Sequence, residues 1–188
     1  MDNTKKTIQG HKRFLTRISI TALFAALTAA GAFIAIPVGP VPIVLQNLFA
    51  VLSGLILGPV MGAAAVALYL LAGILGFPVF AGGTGGLARF AGPTGGYLVG
   101  YLLAAITVGL IAGRPEYKTS LIRIIIAVIA GFLIIYIPGI SWLKFSRNLD
   151  WTRAFLAGFT PFIIGDILKG IAAVLISPRL RRIAKDFL

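Results

Sequence analysis

The sequence predicts an all-α integral membrane protein, folded as a compact bundle of six transmembrane helices. Hydrophobic residues make up 59% of the chain and charged residues only 12%, and the mean hydropathy is +1.00. A soluble domain carries roughly 25% charged residues. Because one membrane crossing uses about 20 apolar residues, a chain of 188 residues has room for roughly six crossings and little else. We expect one transmembrane domain at residues 14–177 between basic tails at 1–13 and 178–188.

Proline, glycine and charged residues divide the apolar sequence into six blocks. The predicted helices occupy residues 14–36, 43–57, 60–75, 94–112, 121–137 and 161–176. The first block follows a basic tail, as in a signal peptide, but it is longer than the usual apolar region of about 7–15 residues and is predicted to be a retained helix. Only Gly58 and Pro59 separate the second block from the third, so one long hairpin or a re-entrant element is an alternative there. Thr160 is expected to cap the last helix, with Pro161 in its first turn.

The distribution of basic residues predicts the orientation of the chain. Most of the 17 Lys and Arg residues lie in the two tails and in the connection at residues 113–123, which includes Lys118. By the positive-inside rule both termini are cytoplasmic in the plasma membrane. The connections predicted outside are then residues 37–42, 76–92 and 138–160. A net charge of +12 distributed in this way indicates contact with anionic lipid rather than with nucleic acid.

Asp166 and Lys169 are the two charged residues within the last apolar block. Each ionised group at that depth costs at least roughly 2.5–3.5 kcal/mol, so a polar partner has to offset the cost. At positions i and i+3 of a helix the two side chains lie on one face, where they can pair or hold a third molecule between them. The pair predicts a binding site near the outer end of the helix. The alternative is a structural ion pair that fastens two helices.

The connection at residues 76–96 is rich in glycine, including Gly83, Gly85 and Gly86. A loop with so many glycines allows its backbone to approach a ligand closely. The alternative interpretation is that this loop is a flexible hinge. Arg89 is the only charged residue in this loop, and it is predicted either to meet an anionic group of a ligand or to extend to lipid phosphate. The loop matches neither a Walker A motif nor a dinucleotide fingerprint.

Three further groups of residues are candidates for binding or packing. Gln46 and Asn47 follow two prolines at the start of the second helix. Their side-chain amides can form hydrogen bonds with a polar ligand there, or they can cap the helix. Tyr97 and Tyr101, at positions i and i+4 of the fourth helix, are predicted to line a pocket or to belong to an interfacial aromatic belt. In the first helix, small residues repeat every four positions and form a smooth stripe for close contact with a partner helix or within the bundle. This stripe consists of Ala22, Ala26 and Ala30.

The sequence contains no Walker motif, metal-ligand cluster or Ser/His/Asp set, and Cys is absent. These absences argue against an enzyme and predict neither a metal nor a cofactor.

Three segments together carry a family resemblance: GPVPIVLQN at 39–47, AGGTGGLARFAGPTGGYLVGY at 81–101, and PFIIGDILKG at 161–170. In amino-acid sequence and in order along the chain they resemble the BioY family, the biotin-binding S components of energy-coupling-factor (ECF) vitamin transporters. The resemblance implies capture of biotin at the outer face, followed by association with a membrane coupling protein and two cytoplasmic ATPases.

The resemblance also implies roles for particular residues. The acid and base of the family fall on Asp166 and Lys169, and the alanine stripe of the first helix matches the surface that docks on the coupling protein. The remaining ligand contacts fall on Gln46, Asn47, Gly83, Gly85, Gly86, Arg89 and Tyr97. Two other functions stay open: a structural membrane subunit whose ion pair binds no ligand, and a vitamin carrier that works without ATPases.

Overall fold

A computed structural model of the chain describes residues 2–37, 39–115 and 119–185. For residues 2–9 and 12 it describes the backbone alone. Lys118 and the last three residues of the predicted C-terminal tail therefore lie outside the described residues, and so do the basic side chains of Lys5, Lys6 and Lys12.

The described chain is predominantly helical, as predicted. Its long helices are α1 (Asp2–Phe33), α2 (Gln46–Ile74), α4 (Gly95–Ala112), α5 (Leu121–Ser146) and α7 (Ile163–Lys185). The short elements are β1 (Ala35–Ile36), β2 (Ile43–Val44), α3 (Leu87–Phe90), α6 (Trp151–Gly158) and a 3₁₀ turn at Thr160–Phe162. The two strands pair as an antiparallel hairpin between α1 and α2. Within the described residues, five helical stretches are long and apolar enough to cross a membrane.

Helix α2 is broken at Gly58, between the two blocks that the sequence separates. Gly58 has φ 78° and ψ −177°, a backbone conformation that favours glycine, and Pro59 follows it. The side chain of Gln46 reaches Tyr69, and a Cβ at Gly62 would lie 2.8 Å from the Cα of Gly54. These pairs lie at nearly equal distances in sequence on either side of the break. The two halves of α2 therefore run antiparallel, and the long element is a helical hairpin.

Helix α4 packs between α2 and α5 with its backbone in close contact with both neighbours. A Cβ at Gly100 would lie 2.7 Å from the carbonyl oxygen of Ile135 in α5. On the α2 side, a Cβ at Gly54 would overlap the backbone of Ala105, and one at Gly109 would overlap Pro59. Small residues at helix interfaces permit this approach in membrane proteins. The glycines thus set the spacing of α2, α4 and α5.

Helix α5 continues past Pro138 to Ser146, although the sequence predicts an outward connection from residue 138 to residue 160. A proline inside a helix removes one backbone hydrogen bond and usually bends or ends the helix. Here the backbone at Pro138 packs directly against Gly96 of α4, and Gly139 packs against the ring of Tyr97. This contact holds the helix together past the proline. Part of the remaining connection is also helical, because Asp150 caps α6 by accepting a hydrogen bond from the Arg153 backbone N–H (2.8 Å).

The last helix differs from the prediction at both ends. Thr160 does not cap it: Phe159 precedes the 3₁₀ turn, which has no side-chain cap, and α7 begins at Ile163. At the other end, α7 continues through Pro178 to Lys185, past the predicted end at residue 176.

Arg181 explains the extension of α7. Its guanidinium is buried and donates hydrogen bonds to the carbonyl oxygens of Leu55, Ala112 (3.2 Å), Gly113 (3.1 Å) and Arg114 (3.0 Å), and to the Thr119 hydroxyl (2.9 Å). Charge-assisted bonds to carbonyl groups at helix ends are strong, and they offset the bond lost at Pro178. Residues 178–185 are therefore packed helix.

Candidate functional site

Asp166 and Lys169 form an ion pair on the first turns of α7. The Lys169 Nζ lies 2.9 Å from the Asp166 Oδ1, and the two residues are only 7% and 9% exposed. Their spacing of three residues places both side chains on one face of the helix, which confirms the predicted geometry. A buried pair of this kind needs further hydrogen bonds to compensate for the loss of water.

Asn47, from the start of α2, supplies those bonds to both partners. Its Nδ2 donates to the Asp166 Oδ1 (2.8 Å), and its Oδ1 accepts from the Lys169 Nζ (3.0 Å). The flanking charges fix the orientation of the amide, because only its NH₂ can face the carboxylate and only its oxygen can face the ammonium. The three side chains form a closed triangle that joins α2 to α7.

Tyr136 of α5 completes the cluster and was not predicted from the sequence. Its hydroxyl donates to the Asp166 Oδ2, so the carboxylate accepts hydrogen bonds from Asn47, Lys169 and Tyr136. One sequence signal could have identified Tyr136: it is a single tyrosine in the largely apolar block at residues 121–137. A buried tyrosine hydroxyl there requires a hydrogen-bond partner.

One small cavity adjoins this cluster and a second lies beside the first, each with a volume of about 20 Å³. An open, apolar groove of about 520 Å³ between α5 and α7 also reaches Tyr136 and Asp166. The first small cavity is bordered by Asn47, Tyr136, Asp166 and Lys169, and the second by Gln46, Phe80 and Thr94. Both cavities share the same central walls, which are formed by Val41, Pro42, Val44, Tyr97 and Tyr101. The two cavities are thus adjacent compartments that share side chains of the β2 region and α4.

Gln46 and Tyr97 belong to the walls of these cavities but bind other partners. The Gln46 Nε2 donates to the Tyr69 hydroxyl and to the Val79 carbonyl (3.3 Å), on the side of the second cavity. The Tyr97 hydroxyl donates to the Gly158 carbonyl (2.7 Å), so its polar end binds the last residue of α6 while the residue lines both cavities. Gln46 and Asn47 are neighbours in sequence, but Asn47 lines the first cavity and Gln46 lines the second.

The predicted glycines lie behind the cavity walls rather than in them. The backbone N–H of Gly86 donates to Gly73 O (2.6 Å), and a Cβ at Gly85 would overlap the Phe77 carbonyl. Gly83 lies against the ring of Phe33, with 3.4 Å between that ring and a Cβ on the glycine. Gly86 has φ 93° and precedes the short helix α3, where the Arg89 side chain is exposed. The loop brings Phe80 and Ala81, rather than its glycines, to the second cavity.

The alanine stripe of α1 lies on the outside of the molecule. Ala22, Ala26 and Ala30 are exposed, whereas Ala25 beside them is buried in the bundle. Packing within the bundle, the alternative interpretation of the stripe, is therefore not its role in the described chain. A smooth exposed strip therefore remains on the surface of α1.

Comparison with known proteins gives consistent results. The model of the BioY family matches residues 3–186. A probable biotin transporter of Pyrococcus horikoshii is 44% identical over 164 residues, which cover 87% of this chain and 95% of that protein. A biotin transporter of Thermotoga maritima is 44% identical over 161 residues, covering 86% and 93%. A crystal structure of the S component for biotin from an ECF-type ABC transporter matches with a TM-score of 0.82 and 31% identity, covering 89% of this chain and 92% of that one.

Proposed function

The chain belongs to the BioY family, and we propose that it is the biotin-binding S component of an ECF-type transporter. The observation that carries the proposal is the triangle of Asn47, Asp166 and Lys169 at the wall of a cavity. This arrangement presents donors and acceptors side by side in a buried, largely apolar setting, which is typical of a small-molecule site.

The ureido ring of biotin has two N–H donors and one carbonyl acceptor, which is complementary to this triangle. The Asp166 carboxylate accepts a ureido N–H, and Lys169 donates its remaining proton to the ureido carbonyl. The apolar walls around Val41 and Val44 suit the thiophane ring and the valeryl chain. Asn47 orients both charged groups and offers the ligand its second amide proton.

The site has to expand for biotin to enter. Small-molecule pockets usually measure about 300–1,000 Å³, and each of the two cavities here holds little more than one water molecule. Val41, Pro42 and Val44 border both cavities, and their segment is held by the two-residue β1–β2 pairing and by the burial of Val41 and Val44. Its displacement joins the compartments and opens them toward the outer face.

The remaining ligand contacts are proposals that follow from the family resemblance. Arg89 meets the valerate carboxylate at the entrance, which its exposure permits. Tyr97 and Gln46 line the path between the entrance and the charged triangle. Gly83, Gly85 and Gly86 shape the loop that comes closest to the valerate as the ligand enters. No cofactor is needed for this binding.

Transport requires energy that partner subunits supply. The exposed stripe of Ala22, Ala26 and Ala30 docks on the membrane coupling protein, which couples to two cytoplasmic ATPases. We place the protein in the plasma membrane with both termini cytoplasmic and six crossings. The turn of the α2 hairpin supports this count. A Cβ at Gly58 would lie 3.5 Å from the Arg114 side chain, just beyond the end of α4, so both halves of α2 run alongside α4.

Calorimetric titration of the purified protein in detergent tests the proposal. Wild type is expected to bind biotin, and Asp166→Asn is expected to lower the affinity at least about 10-fold, because a charge-assisted hydrogen bond is lost. Asp150→Asn is the matched control, since Asp150 forms an exposed ion pair with Arg153 at the start of α6. Absence of biotin binding by wild type contradicts the proposal.

One observation favours the structural subunit as the alternative. Asp166 already accepts hydrogen bonds from three protein side chains, so the cluster is satisfied without a ligand. A purely structural cluster predicts that Asp166→Asn destabilises a protein that has no affinity for vitamins. A carrier that works alone instead predicts biotin uptake in cells that lack the coupling protein and the ATPases.

A further inference from the structure

Tyr101 differs from the other tyrosines around the site. It lies one turn after Tyr97 on α4 and is only 6% exposed. The hydroxyls of Tyr69, Tyr97 and Tyr136 each form a hydrogen bond with a protein group. Among the residues that the structure describes, the Tyr101 hydroxyl has no hydrogen-bond partner.

The Tyr101 hydroxyl is open to the cavities. Within the described chain, every side-chain nitrogen or oxygen atom that is completely inaccessible has a hydrogen-bond partner. The Tyr101 oxygen has none, so it must be accessible, and the residue belongs to the walls of both compartments. A tyrosine hydroxyl is a hydrogen-bond donor and acceptor, and polar groups in protein interiors are normally hydrogen-bonded. Because this one is exposed to the cavities and has no protein partner, it is free to bond a molecule held there.

The chemistry of the first cavity limits what this hydroxyl can bind. Asp166 already accepts three bonds and can take the ligand's N–H, while Lys169 uses two of its three protons on Asn47 and Asp166. A ureido carbonyl accepts two hydrogen bonds, so it needs one donor besides Lys169. Tyr101, at the junction of the two compartments, is in place to provide it.

We propose that Tyr101 determines ligand specificity by donating its hydroxyl proton to the ureido carbonyl oxygen, opposite Lys169. The proposal rests on the proposed function and adds a second donor to the ureido carbonyl. It predicts a preference for ring ureas over analogues whose carbonyl is replaced by a poor acceptor.

Tyr101→Phe tests the proposal because it removes the hydroxyl and keeps the ring. The affinity for biotin is expected to fall about 3- to 10-fold, as for a neutral hydrogen bond. The melting temperature is expected to stay at the wild-type value, since no protein partner is lost. Tyr97→Phe serves as the comparison for stability: it loses the bond to Gly158 and should lower the melting temperature.

Titration with 2-thiobiotin identifies the ligand atom, because its thiocarbonyl is a weak acceptor. For this analogue Tyr101→Phe is expected to change the affinity less than about 2-fold. Equal losses for biotin and 2-thiobiotin, an unchanged affinity for biotin, or a lowered melting temperature each overturn the assignment of Tyr101. If wild type itself fails to bind biotin, the proposed function fails, and the two failures are thus distinguishable.

Discussion

At the scale of single residues, the charge on Asp166 is stabilised from three directions. Asn47 approaches from α2, Tyr136 from α5 and Lys169 from its own helix. Desolvation of two opposite charges is costly, and removal of only one of them leaves the other buried without compensation. The pair and its two neutral partners should therefore be regarded as one unit.

Replacement of Asp166 by Asn tests this dependence. The variant keeps the shape of the side chain but leaves the Lys169 ammonium without a counter-charge, so the free energy of unfolding should fall by about 3–5 kcal/mol. The double variant Asp166→Asn/Lys169→Met should regain most of that stability and still fail to bind biotin. Denaturant unfolding in mixed micelles measures the stability of the single and the double variant, and calorimetric titration measures biotin binding. If Asp166→Asn alone is as stable as wild type, the expectation is wrong.

Arg181 supports a second prediction at this scale. Lys keeps the charge of Arg181 but lacks the planar fork that reaches carbonyl groups from α2, α4 and the following connection. Arg181→Lys should lower stability by at least about 1.5 kcal/mol, visible as a lower melting temperature. Arg182→Lys, at the exposed neighbouring position, is the control and should change little. Equal effects of both substitutions argue against the role of Arg181.

Sequence reasoning identified some of these residues and missed others for a physical reason. Asp166 and Lys169 stood out because charge is expensive in hydrocarbon, and their spacing alone gave the ion pair. Tyr136 and Arg181 act through partners that are distant in sequence, and a tyrosine in an apolar block or an arginine in a basic tail carries no sign of which helix it meets. Only the packing of α5 and α7 shows those contacts.

At the scale of elements, the helix-packing motif that matters most within the bundle lies on α4. Gly96, Gly100 and Ala104 repeat every four residues and are all buried. Gly96 and Gly100 face the backbone of α5 at Pro138 and Ile135. Tyr97 and Tyr101 are held next to this seam, so the spacing of α4 and α5 also sets the width of the site.

Gly100→Ala should therefore destabilise the bundle. The added Cβ would lie 2.7 Å from the carbonyl oxygen of Ile135, and backbone cannot move aside as a flexible side chain can. Overpacking of this kind costs about 1–3 kcal/mol. Gly10→Ala is the matched control, because Gly10 is helical, exposed and has nothing within 4 Å of a Cβ. If thermal unfolding is the same for both variants, the backbone contact is not close.

Hydropathy predicted some helix boundaries well and others poorly. Residues 94–112 were predicted for α4, which occupies Gly95–Ala112, and the break at Gly58 was predicted from a glycine followed by a proline. The predictions at Pro138 and Pro178 were wrong, because both prolines lie inside continuous helices. Tertiary contacts with Gly96 and through Arg181 override the local preference, and a rule based on local sequence cannot include them.

At the scale of the whole molecule, the orientation in the membrane can be tested directly because the chain has no cysteine. In Gly10→Cys the thiol lies near the N-terminus, and in Arg147→Cys it lies at the exposed end of α5. A maleimide that cannot cross membranes should label Arg147→Cys in intact cells and Gly10→Cys only after permeabilisation. The reverse pattern inverts the proposed topology, and labelling of both in intact cells also contradicts it.

The hairpin in α2 has a consequence for the lipid around the protein. Its second half presents Val60, Leu68, Leu71 and Leu75 outward, a stripe about 22 Å long at 1.5 Å per residue. The apolar stretch of α1, Arg13–Phe33, is about 30 Å long on the same measure and matches a hydrocarbon layer of about 30 Å. We expect the bilayer to be thinner beside α2 than beside α1, or the protein to tilt, since hydrophobic mismatch is relieved by local compression or by tilt. Short-chain phospholipids should gather on one flank, and the protein should sit inclined in a thick membrane.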